Sequence, residues 1–304
     1  MRHSRPAFLA VALTLLGTTT VFAIEPFPSS MHTQMVATNG THLYVRSGGQ
    51  GPAVVLLHGF GDSGDMWAPV ASVLIKDHAV IVPDLRGMGF SDHPDTGYTK
   101  KNEALDIAGV MDALNVQKAD LVTHDIGNMV GYALAAQFPQ RVTRWVVIDA
   151  PLPGVAHWAD QLSNPKTWHF NFHGPDEERL VAGRERIFLD RFYNELGAHP
   201  ERIDEATRAH YAELYAKPHA MHDALEQFAA FPQDGVDNRA FLAKGKLTMP
   251  VLAAGGEKSY GAKMADELGF VATNVKGAVI PDSGHWVMEE NPQATTKLVV
   301  EFLK

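Results

Sequence analysis

The sequence contains no cysteine in 304 residues. That absence excludes a disulfide scaffold, a thiolate nucleophile, an iron–sulfur cluster and any zinc site with cysteine ligands. Basic residues are few, because 26 Lys and Arg face 35 Asp and Glu, and the net charge is −9. Proteins that bind nucleic acids normally carry a basic surface, so we expect no nucleic-acid partner. The 45% share of hydrophobic residues is that of a globular protein.

Signals for bound cofactors are also absent from the sequence. Gly87-Met88-Gly89 has no third glycine and opens no evident helix, so it does not match a dinucleotide-binding loop. His219 and His222 have the spacing of one helix face, but no group of carboxylates accompanies them as metal ligands. We therefore predict that the protein uses neither an organic cofactor nor a metal ion.

The first 23 residues have the composition of a secretory signal peptide. Arg2 and Arg5 form a basic start, residues 7–16 are mostly apolar, and small residues precede a cleavage site after Ala23. The apolar run is shorter than the ~20 residues of a membrane span, which disfavours a retained anchor. We expect a secreted or periplasmic protein of 281 residues. Loss of two arginines and no acid gives it a net charge of −11, which disfavours a membrane partner.

Short apolar runs alternate with helical patterns along the rest of the chain. Continuous apolar runs, typical of buried strands, occur at residues 53–57, 79–82, 119–122, 145–148, 251–254 and 278–280. Apolar residues at helical spacing follow, as at residues 101–114 and 128–137. Strands that alternate with helices predict an α/β protein with a mainly parallel sheet and helices on both faces.

Residues 152–240 interrupt this alternation, because the strand signal disappears there. The segment is rich in Glu, Arg, Ala and aromatic residues at helical periods, for example at residues 178–192 and 204–215. We predict a helical cap over residues 152–240. It would be inserted between two pieces of one α/β core, at residues 24–151 and 241–304.

Reactive side chains follow four of the predicted strands, at residues 58–61, 123–127, 149 and 284–286. In a parallel sheet, ligands bind beyond the carboxyl ends of the strands, so we expect these loops to form one site. Residues 123–127, Thr-His-Asp-Ile-Gly, have the small-x-nucleophile-x-small spacing of a nucleophile elbow, with Asp125 as the nucleophile. Asp125, Asp149 and His285 follow the nucleophile, acid, histidine order of the α/β-hydrolase fold. The alternative is an aspartate that only caps a helix.

An aspartate nucleophile changes the class of reaction. A carboxylate displaces a leaving group from saturated carbon and forms an alkyl ester. Water activated by His285 can hydrolyse that ester, with the backbone N–H groups of Phe60 and Ile126 as the oxyanion hole. This chemistry argues against esterase, lipase and peptidase activity and leaves epoxides and carbon–halogen compounds as substrate classes.

Several motifs resemble the epoxide hydrolase branch of the α/β-hydrolases. They are HGFG at residues 58–61, DLRG at 84–87, HDIG at 124–127 and GHW at 284–286. Three more segments are similar to the bacterial secreted epoxide hydrolases of the Cif type, namely DAPLP at 149–153, WHFNF at 168–172 and YAKPH at 215–219. The similarity runs from about residue 40 to the C-terminus and includes the signal peptide. It implies an α/β-hydrolase fold, an epoxide substrate and a homo-oligomer formed through the cap.

The resemblance also implies roles for individual residues. Asp125 takes the position of the nucleophile and His285 that of the general base. Asp149 takes the position of the orienting acid, where the Cif type carries a glutamate. Many relatives place this acid in a later Gly-x-x-Asp turn, but the corresponding turn here ends in Ser259. Asp149 is therefore favoured, and Glu257 is the reserve acid.

Epoxide opening needs donors for the developing alkoxide, and the resemblance implies that His169 is one of them. The second donor is expected to be a tyrosine, but Phe228 occupies that position and has no hydroxyl. Either His169 works alone, or the substrate is not an epoxide, or another side chain replaces the phenol, the candidates being Gln227, Tyr193, Tyr211 and Tyr215. An apolar substrate is expected, in a pocket lined by Trp67, Gln227, Phe228 and Trp286.

A dehalogenase is the main alternative, because it shares the Asp–His–acid machinery. Haloacetate dehalogenases carry arginines directly after the nucleophile and three residues later to bind the substrate carboxylate, whereas this chain has Ile126 and Met129. Haloalkane dehalogenases place a halide-binding tryptophan directly after the nucleophile, where Ile126 again stands. A halide pocket nevertheless remains open as a role for Trp67, Trp168, His169 and Trp286. A catalytically weak exported effector or binding protein is the other alternative.

Overall fold

A computed structural model describes residues 24–304. The predicted signal peptide at residues 1–23 lies outside this range. Eight strands are present within it, and they are β1 His32–Thr38, β2 Thr41–Gly48, β3 Ala53–Leu57, β4 Ala79–Pro83, β5 Ala119–His124, β6 Val142–Ile148, β7 Val251–Gly256 and β8 Val275–Ile280. They form one sheet in the order β1-β2-β4-β3-β5-β6-β7-β8.

The sheet is antiparallel at one edge, where β2 pairs with β1 and with β4. The pairs from β4–β3 through β7–β8 are all parallel. The chain passes from β3 to β4 on one side and then crosses to β5 on the other side. The carboxyl ends of β3 and β5 therefore lie next to each other, at the kind of switch point where ligands bind. The predicted mainly parallel sheet is confirmed.

Twelve α-helices accompany the sheet in residues 24–304. They are α1 Ala68–Leu74, α2 Lys100–Ala113, α3 Ile126–Gln137, α4 Trp158–Ser163, α5 Pro175–Val181, α6 Glu185–Leu196, α7 Glu205–Tyr215, α8 Ala220–Ala229, α9 Phe231–Leu242, α10 Lys263–Gly269, α11 Val287–Glu290 and α12 Pro292–Leu303. None of the helices in this part of the chain is long and apolar enough to cross a membrane.

Helices cover both faces of the sheet because its central strands are apolar on both sides. In β3, Val54 and Leu56 pack in one core with side chains of α1 and α12. Val55 and Leu57 pack in the core on the opposite face, with side chains of α2 and α3. This alternation is the two-residue period of a strand, and it confirms the prediction of helices on both faces of the sheet.

The helices α4 to α9 form the inserted cap between β6 and β7. Within the cap, α8 packs against α5 and α7, and α9 contacts the core helices α2 and α3. Residue 240, the predicted end of the cap, falls inside α9. The helical pattern at residues 178–192 spans two helices, since Gly183 has φ +73° and separates α5 from α6.

Candidate active site

Asp125 occupies a strained turn between β5 and α3. Its backbone has φ 51° and ψ −123°, a conformation that few residues other than glycine adopt. Small neighbours are needed, because a Cβ at Gly127 would lie 2.5 Å from the Leu57 carbonyl oxygen and a Cβ at Gly59 would overlap the Asp125 side chain. The Asp125 side chain makes no capping hydrogen bond to α3, so the helix-cap alternative does not describe it. The turn presents a carboxylate at the carboxyl edge of the sheet.

His285 lies between the two aspartates of the site. Its Nδ1 is 3.0 Å from Asp149 Oδ2, and its Nε2 is 3.7 Å from Asp125 Oδ2. Asp149 is fully buried, and its Oδ1 accepts backbone hydrogen bonds from Gly256 at 2.9 Å and Tyr260 at 3.2 Å. The buried carboxylate therefore fixes the proton of His285 on Nδ1 and leaves Nε2 facing Asp125 as a base.

Two effects oppose each other at the His285 imidazole. Burial favours the neutral ring, whereas the hydrogen bond that His285 donates to Asp149 and the charges of Asp125 and Asp149 favour the imidazolium. The carboxylates outweigh burial and raise the pKa of His285 above its usual 6.5. A raised pKa suits a base that must take a proton from water near neutral pH.

The loop that carries His285 is attached to the cap. The His285 N–H donates to the Leu196 carbonyl oxygen in α6 at 2.9 Å. The neighbouring Trp286 donates its indole N–H to the Phe192 carbonyl oxygen, one turn earlier in α6, at 3.1 Å. The cap and the His285 loop are thus held together by backbone carbonyls of a single helix.

Glu257, the reserve acid, lies away from His285. Its side chain is 44% exposed and pairs with Lys258 at 2.8 Å. It also accepts a hydrogen bond from the Asp282 N–H at 3.1 Å. Of the two predicted acids, Asp149 is the one in contact with the imidazole.

The Asp125 carboxylate already occupies half of the expected oxyanion hole. The Phe60 N–H donates to Asp125 Oδ1 at 2.9 Å. Ile126 is the first residue of α3, and its N–H makes no hydrogen bond to this carboxylate among the described residues. Phe60 therefore holds Oδ1, whereas Oδ2 faces His285 Nε2.

A cavity of about 60 Å³ lies above Asp125 and beneath the cap. Its other ionisable side chains are those of His285, Asp149, His169 and Tyr260. Its apolar wall is aromatic and includes Phe60, Phe170, Phe192, Phe228 and Trp286. We refer to this space as the catalytic chamber. It combines an apolar lining with a few convergent polar groups, as expected of a binding site for a small molecule.

His169 is held within this aromatic wall and is 7% exposed. The centroid of its ring lies 4.8 Å from those of Phe170 and Phe192 and 5.3 Å from that of Phe228. Burial lowers the pKa of His169 to about 3, so the ring is neutral at physiological pH. Its Nδ1 is buried and has no hydrogen-bond partner within residues 24–304. A neutral imidazole in this position can donate one hydrogen bond to a bound ligand.

Two predicted pocket residues do not reach the chamber. Trp67 is fully buried at the start of α1, where it packs with Val54 and Leu56 in the core beneath the sheet. Gln227 is turned by about 100° from its neighbour Phe228 on α8, and its amide donates to Glu103 at 3.2 Å. Placing Trp67 and Gln227 in the substrate pocket was wrong, because each side chain points to a different layer of the protein.

The three tyrosines considered as replacements for the missing phenol lie outside the chamber. Tyr193 donates to the Gly61 carbonyl oxygen at 2.6 Å, and Tyr215 accepts from the Gly61 N–H at 2.7 Å. Tyr211 is fully buried beside Asp62, whose charge is one of the causes that raise its pKa. None of the three lines the catalytic chamber.

Sequence reasoning missed several residues of the chamber, and Tyr260 is the tyrosine among them. It follows β7 in the turn that replaces the usual Gly-x-x-Asp motif, and it lines the chamber with Asp125 and His169. Its hydroxyl is buried and has no hydrogen-bond partner within residues 24–304. The signal that pointed to Tyr260 was its position directly after the turn that carries the acid in many relatives.

A second histidine supports the elbow from below. His124 is fully buried, its ring centroid lies 4.6 Å from that of His285, and its Nε2 is 3.0 Å from the His285 carbonyl oxygen. Its Nδ1 is 3.6 Å from a carboxylate oxygen of Asp62, which is itself fully buried. Burial and the nearby His285 lower the pKa of His124 to about 4, so it packs beneath the site as a neutral ring. Within residues 24–304, no group of three His, Asp or Glu side chains is placed to hold a metal ion.

The fold, the elbow and the Asp125–His285–Asp149 arrangement define an enzyme of the α/β-hydrolase family. The family model described as the alpha/beta hydrolase fold matches residues 52–292, and the chain belongs to this family.

Particular relatives narrow the comparison. The chain is 30% identical over 272 residues to a protein named soluble epoxide hydrolase from Corynebacterium sp. (strain C12), covering 87% of this chain and 94% of that one. It is 27% identical to a fluoroacetate dehalogenase from Burkholderia sp, and the match covers 84% of this chain and 88% of that one. The crystal structure of the Cif epoxide hydrolase from Acinetobacter nosocomialis superposes with a TM-score of 0.86 at 26% identity, covering 92% and 91%.

Proposed function

We propose that the protein is an epoxide hydrolase of the Cif type, which opens its substrate through an alkyl ester on Asp125 and releases a vicinal diol. One observation carries the proposal. Within a single apolar chamber, a carboxylate nucleophile lies 3.7 Å from a base held by Asp149, and a neutral, buried His169 lines the same space.

Ring opening is the first chemical step. Asp125 Oδ2 attacks a ring carbon, the carbon–oxygen bond of the epoxide breaks, and the electron pair of that bond stays on the oxygen. The alkoxide accepts a hydrogen bond from the N–H of His169, and the proton that converts it to the alcohol comes ultimately from water, which is left as hydroxide. Neutral His169 suits this role because its low pKa prevents it from forming an ion pair with Asp125 before the substrate binds.

Ester hydrolysis is the second step. The 3.7 Å between His285 Nε2 and Asp125 Oδ2 is too long for a direct hydrogen bond, and it is suited to a bridging water. Nε2 takes a proton from the water, whose oxygen attacks the ester carbon of Asp125. The Phe60 N–H stabilises the negative charge that develops on Oδ1. Asp149 stabilises the imidazolium of His285. The ester carbon–oxygen bond then breaks, the departing oxygen takes the imidazolium proton to complete the diol, and the Asp125 carboxyl releases its proton to solvent.

The size of the chamber indicates the size of the substrate. A cavity of about 60 Å³ has room for about four water molecules at ~15 Å³ each. An epoxide of a few carbons fits this space, whereas a longer chain requires movement of the cap side chains. The aromatic wall favours an apolar substituent.

A dehalogenase is the second candidate, because a fluoroacetate dehalogenase is among the relatives and the same three residues serve both reactions. Fluoroacetate carries a carboxylate, and a cation would be needed to bind it in an apolar chamber. Ile126 and Met129 are apolar and buried at the positions where the arginine clamp is expected. We therefore place the epoxide reaction first.

Covalent trapping separates these reactions. A His285→Gln variant mixed with 1,2-epoxybutane is expected to gain the mass of one epoxide, and peptide mapping should locate the adduct on Asp125. An Asp125→Asn variant is the matched control and should gain no mass. Diol formation by the wild-type protein completes the test. Halide release from fluoroacetate or 1-chlorobutane without any diol from the epoxide would overturn the proposal in favour of a dehalogenase. Absence of an adduct with all three compounds, 1,2-epoxybutane, fluoroacetate and 1-chlorobutane, would favour a non-catalytic protein.

We further propose that the protein is exported and loses residues 1–23. The basic start, the apolar run and the small residues before position 24 support this proposal. N-terminal sequencing of the protein from the periplasmic or culture fraction should begin at Ile24. Recovery of the intact N-terminus from the cytoplasmic fraction alone would contradict it.

A further inference from the structure

The opening epoxide needs hydrogen-bond donors on its oxygen, because most of the developing charge resides there. His169 supplies one donor, and Phe228 has no hydroxyl with which to supply a second. The hydroxyls of Tyr193 and Tyr215 are bonded to the backbone of Gly61 outside the chamber. A second donor, if there is one, has to come from another element of the fold.

Tyr260 is the one tyrosine of residues 24–304 that lines the catalytic chamber, where Asp125, His169 and Phe228 are its companions. Its hydroxyl oxygen is buried without a hydrogen-bond partner among these residues. A buried polar group without a partner is destabilising. An acceptor oxygen on a bound ligand would supply the missing hydrogen bond, so this hydroxyl is suited to bind one.

The position of Tyr260 is fixed by the same carboxylate that orients the base. Its N–H donates to Asp149 Oδ1 at 3.2 Å, and its carbonyl oxygen accepts from Lys263 at 3.0 Å. The turn closes tightly on the end of β7, because a Cβ at Gly255 would lie 2.4 Å from the backbone nitrogen of Gly261. Asp149 therefore holds His285 with one oxygen and the Tyr260 backbone with the other.

The charges around the phenol keep it protonated. Burial raises the pKa of Tyr260, and the negative charges of Asp149, Glu267 and Asp125 raise it further. In the free enzyme the group is therefore a donor. When Asp125 becomes an ester its charge disappears, so the phenol becomes a stronger acid at the moment when the alkoxide forms.

We propose that Tyr260 is the second ring-opening donor and that it replaces, from the β7–α10 turn, the phenol that the cap lacks at Phe228. The proposal rests on the proposed epoxide reaction. As Asp125 Oδ2 bonds to the ring carbon and the epoxide carbon–oxygen bond breaks, the Tyr260 hydroxyl proton passes to the epoxide oxygen. Water then returns a proton to the phenolate.

The rate of ester formation tests this role. A Tyr260→Phe substitution is made in the His285→Gln background, in which the ester accumulates, and intact mass is followed after rapid mixing. Two epoxides of similar size are compared, 1,2-epoxybutane and epichlorohydrin, because the chloromethyl group makes the alkoxide less basic. Tyr44→Phe, a phenol in β2 that does not line the chamber, is the matched control. Thermal unfolding of each variant checks that the fold is retained.

We expect Tyr260→Phe to slow alkylation by 1,2-epoxybutane on the order of 100-fold, the loss typical of one missing oxyanion donor. Epichlorohydrin should be affected less, since its oxygen needs a proton less. Equal losses with the two epoxides would indicate a structural role and overturn the proposal, as would an unchanged rate. Failure of the His285→Gln parent to form an ester with either epoxide would refute the epoxide reaction itself, together with the role of Tyr260.

Discussion

Exchange of the buried acid, Asp149→Asn, tests the division of labour in the site most directly. In the structure, Asp149 Oδ1 accepts two backbone N–H groups and Oδ2 accepts the Nδ1–H of His285. An asparagine has one acceptor oxygen and one donor nitrogen. Two backbone donors hold the amide oxygen, so the amide nitrogen has to face His285. The imidazole then moves its proton from Nδ1 to Nε2 and can no longer accept one from water.

The magnitude follows from this change of tautomer. Loss of the correct tautomer in a nucleophile–histidine–acid site lowers turnover by about 10⁴-fold, which corresponds to about 5.5 kcal/mol of transition-state stabilisation. The loss should fall on ester hydrolysis alone. Ring opening should keep its rate within about one order of magnitude, because Asp125 and His169 are unchanged and the amide oxygen still holds the backbone of Tyr260. The ester should therefore accumulate in Asp149→Asn during turnover of 1,2-epoxybutane.

Quenched-flow sampling with intact-mass analysis measures both steps in one experiment. Glu257→Gln is the matched control, since Glu257 is exposed and pairs with Lys258, and it should turn over at the wild-type rate. The reasoning fails if Asp149→Asn releases diol within tenfold of the wild-type rate, or if ester formation falls as far as hydrolysis does. A large loss in Glu257→Gln with little loss in Asp149→Asn would reverse the assignment of the acid.

Three further predictions rest on single residues. The rate of ester hydrolysis should rise with pH through a pKa above 6.5, because His285 must be neutral to act as base; a profile that is flat from pH 5 to pH 9 would contradict this. His169 has a pKa of about 3, so it stays neutral from pH 5 to pH 9 and adds no ionisation to this profile. A His169→Gln substitution should therefore lower the rate without changing the shape of the profile. Burial raises the pKa of Glu103 from 4.5 to about 8. The contribution of its protonated carboxyl to the free energy of unfolding is therefore complete below pH ~4.5 and is lost as the pH rises to about 8. The loss is at most about 1.4 kcal/mol per pH unit. Urea unfolding of Glu103→Gln should show a flatter dependence on pH in that interval than the wild type, and equal slopes would refute the burial effect.

The fold was predictable because its signals are local. Continuous apolar runs such as residues 53–57 and 251–254 become central parallel strands, since such strands are buried on both faces. The elbow was predictable as well, because the strained turn at Asp125 restricts its neighbours to small residues and so leaves a spacing in the sequence. Strand ends converge in a parallel sheet, which is why Asp149 and His285 could be placed beside Asp125.

The walls of the chamber were less predictable, because they depend on rotation and packing. Phe228 and Gln227 are neighbours on α8, and a turn of about 100° sends one to the chamber and the other to Glu103. Aromatic character placed Trp67 in the pocket, but the side chain packs beneath the sheet. Tyr260 lies in a turn without periodicity, and only the closure of that turn on Asp149 brings it to the site.

The two hydrogen bonds from the histidine loop to α6 have a consequence for how substrate reaches the chamber. His285 and Trp286 donate to the carbonyl oxygens of Leu196 and Phe192. A rigid-body movement of the cap away from the core would break both hydrogen bonds, and it would displace His285 together with the cap side chains above the chamber. Because the cap and the His285 loop are joined in this way, we expect substrate and product to pass through small movements of side chains and not through a hinged opening of the cap. Asp125, His285 and Asp149 would then stay in place between turnovers. Selection for larger substrates would change the side chains that line the entrance before it changed the packing of the cap on the core.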